Sequence, residues 1–501
     1  MTESPSAAPP SLTARTVRGA AWTLSTSLGS RVIGLVGTLL LARYLAPAEY
    51  GVVTAAAILA LTAFGVTTLG VGIYLLSNRE LTRSEVFHAT CWFLATGVVA
   101  LGGVWALSDP LGRWLDAPDL GRFMPLFVLS ALLDRVLFLP ERMLIRKLRF
   151  RWLSVSRAAG ELVYTALALI LAARGVGAMS IAWAYLARAA LRFAAIVPAV
   201  SWREWIEPHR LEAKTFARII RSGVSVSVAT IATFLMRRWD NLLVSVYFGN
   251  ATMGAYNYAY NLADTPAVAI GEQMSDVIAA AFPHAHGAKR QDALVRACTM
   301  ISLIMFPLAF GLGAVAKTVG QAFFDRKWAD VGTMLVYLSI LSAPRPMAQI
   351  VQSYFYASQR MRVVVWIEWL SLGALLGAIA AFGALLAGSP RFGDSAILWT
   401  CAAVGAVFGL RTLALLWMVK RLDGVPLRRF LAPLLRPLAA CVAMVVAIQL
   451  VRPALDDLRP LVRLVLEVAL GAAVYLAGAV VIFRDASVEF LGLIRSGMGR
   501  R

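Results

Sequence analysis

Apolar runs of about 20 residues recur along the whole chain, and they limit its possible folds more than any other feature. An α-helix rises about 1.5 Å per residue, so each run is long enough to cross a hydrocarbon core of about 30 Å. A composition of 59% hydrophobic and 15% charged residues, with a mean hydropathy of +0.71, excludes a soluble globular chain. The sequence therefore predicts an all-α, polytopic membrane protein.

We count fourteen such runs and predict each as a transmembrane span. Their approximate limits are 19–42, 52–77, 85–107, 123–142, 153–173, 177–199, 222–247, 254–281, 297–319, 332–356, 363–387, 395–419, 434–451 and 462–483. Residues 1–18 contain no apolar segment, so we expect a cytosolic tail and not a cleaved signal peptide. Residues 484–501 form a second predicted cytosolic tail.

Lys and Arg are unevenly distributed over the connections between the predicted spans. With a cytosolic N-terminus, the even-numbered connections and the two tails hold more than half of the 48 basic residues. The positive-inside rule then places both termini in the cytoplasm. The formal charge of +20 is explained by this topology and by attraction to anionic membrane lipids. The basic residues form no separate domain, so we expect no nucleic-acid partner.

Motifs for metal, nucleotide or disulfide chemistry are missing from the sequence. The four cysteines are isolated, and His284 and His286 are the only clustered histidines, without cysteine or carboxylate neighbours. No phosphate-binding loop of the form G-x-x-x-x-G-K-[ST] occurs. We therefore expect no cofactor, no metal site and no ATP-driven pump.

Short internal matches predict two related halves. The segment ARYLAPAEYGVV (42–53) matches SVYFGNATMGAY (245–256) at an offset of 203 residues, which aligns Gly51 with Gly254. Segments in spans four and ten match at the nearby offset of 209. Transporters are often built from such repeats. We predict two pseudo-symmetric six-helix lobes, a linker and two extra helices. Their limits are 19–199 for the N-lobe, 200–221 for the cytosolic linker, 222–419 for the C-lobe and 434–483 for spans thirteen and fourteen.

Longer motifs resemble a known transporter family. The run AWTLSTSLGSRVIGLVGTLLLARYLAPAEYGVV is similar to the opening of the polysaccharide-transport family of oligosaccharide flippases, the Wzx type. RRWDNLLVSVYFGNATMGAYNYAYNLADTPA is similar to that family's seventh and eighth spans, and ISLIMFPLAFGLGAVAKTVGQAFFDRKW to its next segment. The larger group also contains the MATE exporters and the lipid II flippase. The resemblance covers roughly residues 15 to 420.

This resemblance implies a fold and a cargo. The fold would be a V-shaped pair of lobes that alternates between inward-open and outward-open forms. The cargo would be an oligosaccharide repeat unit on undecaprenyl pyrophosphate, moved across the bacterial cytoplasmic membrane before polymerisation. The protein would then be a transporter and not an enzyme, with membrane lipids and polysaccharide polymerase or export proteins as further partners.

Arginines in the first six spans outnumber carboxylates and suit a pyrophosphate cargo. An intramembrane arginine is costly, so it is a candidate for function. The predicted substrate-binding residues are Arg31, Arg135, Arg188, Arg192 and Arg238. Arg188 and Arg192 share a helix face, with snorkelling to the membrane surface as the alternative. Arg31 could instead pair with an acid across the bundle, such as Asp134.

Carboxylates in the later spans suggest ion coupling or gating. The predicted residues are Arg237, Asp240, Asp264, Glu272 and Asp276, with Na⁺ or H⁺ as the coupling ion. Arg237 and Asp240 are three residues apart and can pair, and the stripe on span eight could alternatively serve as partners for arginines. Arg157 and Glu161 are four apart, which predicts an ion pair within one helix.

Three other functions stay open at this point. A MATE-like multidrug exporter for organic cations would favour acids over this arginine-rich half. A lipid II flippase would be close in mechanism, but an Arg-Asp pair expected after SRVIG is replaced here by Gly37 and Thr38. A lipid-linked sugar polymerase or ligase would typically carry a large outside loop, and the outside loops here, such as 108–122, are short.

Arg31 provides the first test, because no acid in its own predicted helix neutralises it. Arg31→Ala is expected to abolish polysaccharide export while membrane insertion of the protein stays normal. Surface polysaccharide and membrane-inserted protein are measured in the same strain. A normal polysaccharide level in the variant would remove Arg31 from the site.

Overall fold

The computed structural model describes residues 29–30, 33–68, 70–78, 80–267, 287–386 and 393–482. Over these residues the chain forms 17 α-helices with short 3₁₀ segments between some of them, and no strand. The predicted all-α fold is confirmed. Arg31, Glu272, Asp276 and the two clustered histidines lie outside the described residues.

The helices follow one another with short connections. In chain order they are α1 Ile33–Tyr44, α2 Pro47–Val66, α3 Val71–Ser77, α4 Arg83–Ala106, α5 Ser108–Trp114, α6 Leu120–Arg146, α7 Phe150–Ala173, α8 Met179–Ile196, α9 Ala213–Met236, α10 Trp239–Pro266, α11 Ala288–Phe323, α12 Asp330–Leu338, α13 Pro344–Ala357, α14 Met361–Leu386, α15 Gly393–Asp423, α16 Leu427–Val451 and α17 Pro460–Ile482.

Ten of the described helices are long and apolar enough to cross a membrane. They are α2, α4, α6, α7, α8, α11, α14, α15, α16 and α17. The chain is thus a multi-pass membrane protein, although the predicted count of fourteen spans is not confirmed. One physical reason is visible in predicted span ten, which is interrupted by a 3₁₀ segment at Ser339–Ser342 between α12 and α13.

Contacts between Cα atoms divide the chain into two compact units. The first unit comprises residues 1–44, 59–109 and 120–224, and the second comprises residues 45–58, 110–119 and 225–501. The predicted lobe limits stay a prediction.

Each unit has its own apolar core. In the first unit, buried side chains of α3, α4 and α6 pack together, with Leu75, Phe93 and Leu139 almost fully buried. In the second unit the core lies among α11, α13, α14 and α15 and includes Ile301 and Phe355. Polar groups that lie within these helices therefore need partners inside the protein, since neither the core nor lipid supplies any.

The MRRWDN segment lies at a helix break. α9 ends at Met236, and the amides of Arg237 and Arg238 donate to Phe234 and Leu235 at 3.2 and 3.1 Å, in a tighter turn than an α-helix. The chain then continues into α10, whose two helical parts are separated at Gly249, where φ is 83° and the backbone is not helical. Predicted span seven (222–247) is therefore interrupted, and both arginines lie at the interruption.

Two glycines let α2 and α10 cross closely within the second unit. A Cβ on Gly51 would collide with the backbone oxygen of Asn250, and a Cβ on Gly254 would collide with the backbone oxygen of Pro47. The contacts are reciprocal at the offset found in the sequence, because Asn250 follows Pro47 by the same 203 residues that separate the two glycines. The close contact explains why both positions of the repeat carry glycine.

This crossing yields a stability prediction. Gly254→Ala is expected to lower the free energy of unfolding by about 1–3 kcal/mol, because the added methyl group meets rigid backbone. Thermal unfolding of the purified protein, followed by tryptophan fluorescence, measures the change. Gly373→Ala in α14 is the matched control, since no described atom lies within 4 Å of its added Cβ. Equal melting temperatures for Gly254→Ala and the wild type would contradict the prediction.

Candidate functional site

Six ionisable side chains from three membrane-spanning helices form one cluster in the first unit. They are Asp134 and Glu141 of α6, Arg157 and Glu161 of α7, and Arg188 and Arg192 of α8. We call this set the arginine–carboxylate cluster. Each member lies at least one helical turn from the ends of its helix.

Arg192 is the centre of the cluster. Its guanidinium donates to Asp134 Oδ1 at 3.1 Å and to Glu141 Oε1 at 2.5 Å. The two acids are seven residues apart on α6, which puts them on one face two turns apart. Glu141 also faces Arg157 of α7 at 3.4 Å. One carboxylate thus joins all three helices.

Arg188 lies on two aromatic rings. Its guanidinium carbon is 4.4 Å from the ring centre of Tyr185 and 5.2 Å from that of Tyr164. It also faces Glu161 at 3.7 Å. Cation–π contacts of this kind contribute about 0.5–2 kcal/mol, more where water is excluded. Arg188 is therefore held mainly by the rings and more loosely by its acid.

Two glycines make room for these long side chains. A Cβ on Gly160 of α7 would lie 3.1 Å from the Arg192 stem and 3.2 Å from the Arg188 stem. A Cβ on Gly34 of α1 would lie 2.8 Å from Glu161 Oε1. Because Gly160 and Gly34 have no side chain, α7 and α1 leave room for the long side chains of the cluster.

The cluster is balanced in charge and partly accessible. Three arginines face three carboxylates, so the formal charges cancel. The side chains of Asp134, Glu161, Arg188 and Arg192 are 18–26% exposed, whereas Glu141 is 7% exposed. The predicted pair within α7 is wrong, because Arg157 pairs with Glu141 and Glu161 pairs with Arg188. The pairs form between helices.

Arg135 has a different environment from its neighbour Asp134. It is fully buried, and its guanidinium donates to the carbonyl oxygens of Phe93 and Phe64 and to the Thr67 hydroxyl. It lies 4.1 Å from the ring centre of Phe93 and 5.1 Å from that of Phe64. Its predicted role in substrate binding stays a prediction, but the contacts make it a brace within the core of the first unit.

In the second unit, Asp240 belongs to a buried polar chain. Its carboxylate accepts hydrogen bonds from the Tyr256 hydroxyl and the Asn241 amide, both at 2.9 Å. Asn241 in turn accepts from Asn257 at 2.9 Å. Asp240 and Asn241 lie on the part of α10 before Gly249, and Tyr256 and Asn257 lie on the part after it, so these hydrogen bonds join the two parts of the interrupted helix. Arg237 and Arg238, the two arginines of MRRWDN, are partly buried.

Asp264 forms an ion pair that the sequence did not predict. Its partner is Arg345 of α13, which is 3% exposed and lies 4.8 Å from the ring centre of Phe408. Arg345 lies within predicted span ten, and its pairing with Asp264 could not be read from the sequence because the two residues are 81 positions apart. Predicted roles of Asp240 and Asp264 in ion coupling stay predictions.

Glu368 and Arg411 form a second buried pair in this unit. The two groups are 2.8 Å apart, and their side chains are 0% and 4% exposed. Glu368 also accepts from Thr233 at 2.9 Å and from Gln352 at 2.6 Å. The carboxylate therefore joins α9, α13 and α15 to its own helix, α14.

Comparison with known proteins assigns the family. The sequence profile of the family described as "Polysaccharide biosynthesis protein" matches residues 40–332, more than half of the 501-residue chain. The chain belongs to this family.

Individual members and a solved structure agree with the assignment. The succinoglycan biosynthesis transport protein ExoT of Rhizobium meliloti (strain 1021) is 25% identical over 484 residues, which cover 93% of each protein. The lipopolysaccharide biosynthesis protein WzxC of Escherichia coli (strain K12) is 22% identical over 70% of this chain and 72% of its own.

The lipid II flippase MurJ, solved in an inward closed conformation, shares the fold with a TM-score of 0.75. The match covers 92% of this chain and 99% of MurJ at 14% identity. The resemblance found in the sequence is confirmed, and so is the prediction of a transport protein.

The Glu368–Arg411 pair allows a double-mutant cycle. Glu368→Leu is expected to cost about 3–5 kcal/mol, because it leaves a buried arginine without its carboxylate. Arg411→Leu in the same chain should restore most of that loss, since both charges are then gone. Unfolding in a denaturing detergent measures the free energy of unfolding for the two single variants and the double variant. A double variant as unstable as the sum of the singles would show that the two charges are not coupled.

Proposed function

We propose that this protein moves oligosaccharide repeat units, linked to undecaprenyl pyrophosphate, from the inner to the outer leaflet of the bacterial cytoplasmic membrane. The cargo then enters the synthesis of an exopolysaccharide, capsule or O-antigen. The observation that carries the proposal is the pair Arg188 and Arg192, partly exposed within a membrane-spanning helix. Membership of the polysaccharide biosynthesis family supports the same cargo class.

The chemistry of the headgroup fits these two arginines. A pyrophosphate that leaves water needs donors in place of its hydration shell, and guanidinium groups can bind phosphate oxygens through two parallel hydrogen bonds. Arg188 and Arg192 are four residues apart on α8, so both can face one headgroup. The first sugar units after the phosphates would then lie near the Tyr164 and Tyr185 rings.

Alternating access would be driven by an ion gradient. In the second unit the carboxylate of Asp240 is buried and that of Asp264 is partly buried, each with polar partners, and they are the candidates for carrying H⁺ or Na⁺. Arg237, at the break between α9 and α10, is a candidate for gating, and Arg238 beside it is a candidate for substrate binding. Both termini are cytoplasmic in this proposal, and the outer-leaflet product passes to a polymerase or export protein.

The lipid II flippase function is the second candidate, and the fold shared with MurJ favours it. Its cargo also has a pyrophosphate, so the arginine pair alone does not separate the two. A MATE-like exporter of organic cations fits less well. In the cluster every carboxylate faces an arginine, and a cation would find none of them unpaired.

The three functions predict different lipids in a strain that lacks the protein. Complete repeat units on undecaprenyl pyrophosphate should accumulate in the inner leaflet, and surface polysaccharide should be lost. Extraction of lipid-linked sugars, with determination of their length and leaflet, tests this. Accumulation of lipid II would support the second candidate. Normal lipids with increased sensitivity to cationic drugs would support the exporter.

Arg192→Gln, expressed in that strain, should restore less than about a tenth of polysaccharide export, because loss of a charge-assisted hydrogen bond costs roughly 1.5–3 kcal/mol. The matched control is Arg429→Gln, which removes an arginine from an exposed ion pair with Asp292. The control should export normally. Full export by Arg192→Gln, at normal protein levels in the membrane, would exclude this arginine from the cargo site.

A further inference from the structure

Arg192 already has two acidic partners, and this affects how an anion can bind to it. Asp134 and Glu141 both lie within 3.1 Å of its guanidinium. A phosphate that binds Nη1 and Nη2 through two parallel hydrogen bonds competes with both acids for that edge of the guanidinium. The site for an anionic headgroup is thus occupied by the protein's own anions.

We propose that Asp134 and Glu141 set the affinity for cargo by competing with its headgroup for Arg192, and that they take up protons when the headgroup displaces them. The inference rests on the proposed function, because it places the cargo at Arg188 and Arg192. It assigns a role in cargo binding to two carboxylates of α6.

Charge balance is the first argument. The cluster is neutral before cargo binds, with three arginines and three carboxylates. A pyrophosphate esterified at both ends adds two negative charges to a site with little water. Charges of one sign repel strongly at short distance in such surroundings. Protonation of the displaced carboxylates removes the excess charge, and the arginines stay charged throughout.

The groups around Asp134 and Glu141 determine how well each carboxylate charge is compensated once the headgroup displaces it. Asp134 is near Arg188 and Arg192 of α8 and near Glu141 of its own helix. Glu141 faces Arg192 and Arg157, with Arg142 as its neighbour on α6. Arg157 is 52% exposed, so solvent weakens its effect on Glu141. A displaced Glu141, 7% exposed, would be a poorly compensated buried charge.

Glu161 provides a comparison within the same cluster. It lies 3.7 Å from Arg188, a longer distance than either pair of Arg192, and it is 26% exposed. Arg188 is also stabilised by two tyrosine rings. Cargo can therefore reach Arg188 with less competition. The proposed proton uptake is therefore assigned to the two acids of α6 and not to Glu161 of α7.

The direction of the pH effect follows from the exchange. Protonated Asp134 and Glu141 no longer compete for Arg192, so protons and headgroup favour the same state of the site. Affinity for the headgroup should then fall as pH rises, by up to about tenfold per pH unit for each proton linked to binding. A cargo that binds with two protons adds no net charge to the cluster.

The test measures binding of a defined probe to the purified full-length protein in lipid nanodiscs between pH 6 and pH 8. The probe is undecaprenyl-pyrophosphoryl-monosaccharide, because both of its phosphates are esterified and keep their charge over this range. We expect wild-type affinity to fall at least about tenfold from pH 6 to pH 8, out of the roughly hundredfold that full linkage of one proton would give over two pH units. Glu141→Gln should bind more tightly than wild type at pH 8 and show a flatter pH profile.

Two further variants make the outcomes separable. Asp134→Asn should shift the profile in the same direction as Glu141→Gln, and it serves if that variant does not fold. Asp292→Asn removes a carboxylate from an exposed ion pair elsewhere and should keep the wild-type profile. Thermal unfolding of each variant confirms that it is folded.

The failure of the inference differs from the failure of the proposed function. Probe binding that Arg192→Gln abolishes, but that is independent of pH or weaker in Glu141→Gln, would overturn the inference and leave the function in place. No probe binding at any pH, or equal binding by wild type and Arg192→Gln, would remove the cargo site from this cluster and with it both proposals.

Discussion

A charge within a membrane-spanning helix needs a partner inside the protein, and much of this structure follows from that requirement. An isolated charge at mid-bilayer costs about 2.5–3.5 kcal/mol on insertion scales, which no single apolar contact offsets. The first unit meets the cost with the arginine–carboxylate cluster of α6, α7 and α8. The second unit meets it with the pairs Asp264–Arg345 and Glu368–Arg411. In each case the partners come from different helices, so neutralising the charge also fixes how the helices pack.

The same requirement separates two kinds of arginine. Arg135 is held by carbonyl oxygens, a hydroxyl and two phenyl rings, none of which ionises. Arg192 is held by two carboxylates that can be neutralised or displaced. A bound anion changes little for the first group of contacts and competes directly with the second. Position within the membrane is therefore not enough to identify a cargo-binding arginine. The partners of an arginine determine whether a bound anion can take their place.

Sequence patterns predicted the features that depend on short stretches of chain. Apolar runs predicted the helices, and the 203-residue offset predicted a relation between Gly51 and Gly254 that the α2–α10 crossing displays in its reciprocal contacts. Pairing between helices was not predictable from one sequence, as the partners of Arg345 and Arg192 show. Glu141 was overlooked because the predicted span ended at residue 142, whereas α6 continues to Arg146. Its spacing of seven from Asp134 was the available signal, since that spacing repeats on one helix face.

The helix break at MRRWDN shows what the second unit gains from its polar residues. Continuous hydrogen bonding would have placed Arg237 and Arg238 on a regular helix, with their charges directed by its periodicity alone. The break ends α9 at Met236 and lets Asp240 begin a new helix, where acidic groups interact favourably with the N-terminal dipole. The hydrogen bonds of Asp240 and Asn241 then cross to Tyr256 and Asn257, on the part of α10 beyond Gly249. Buried polar contacts thus connect the helical segments on the two sides of an interruption, as the ion pairs of Arg192 and Arg411 connect separate helices of the bundle.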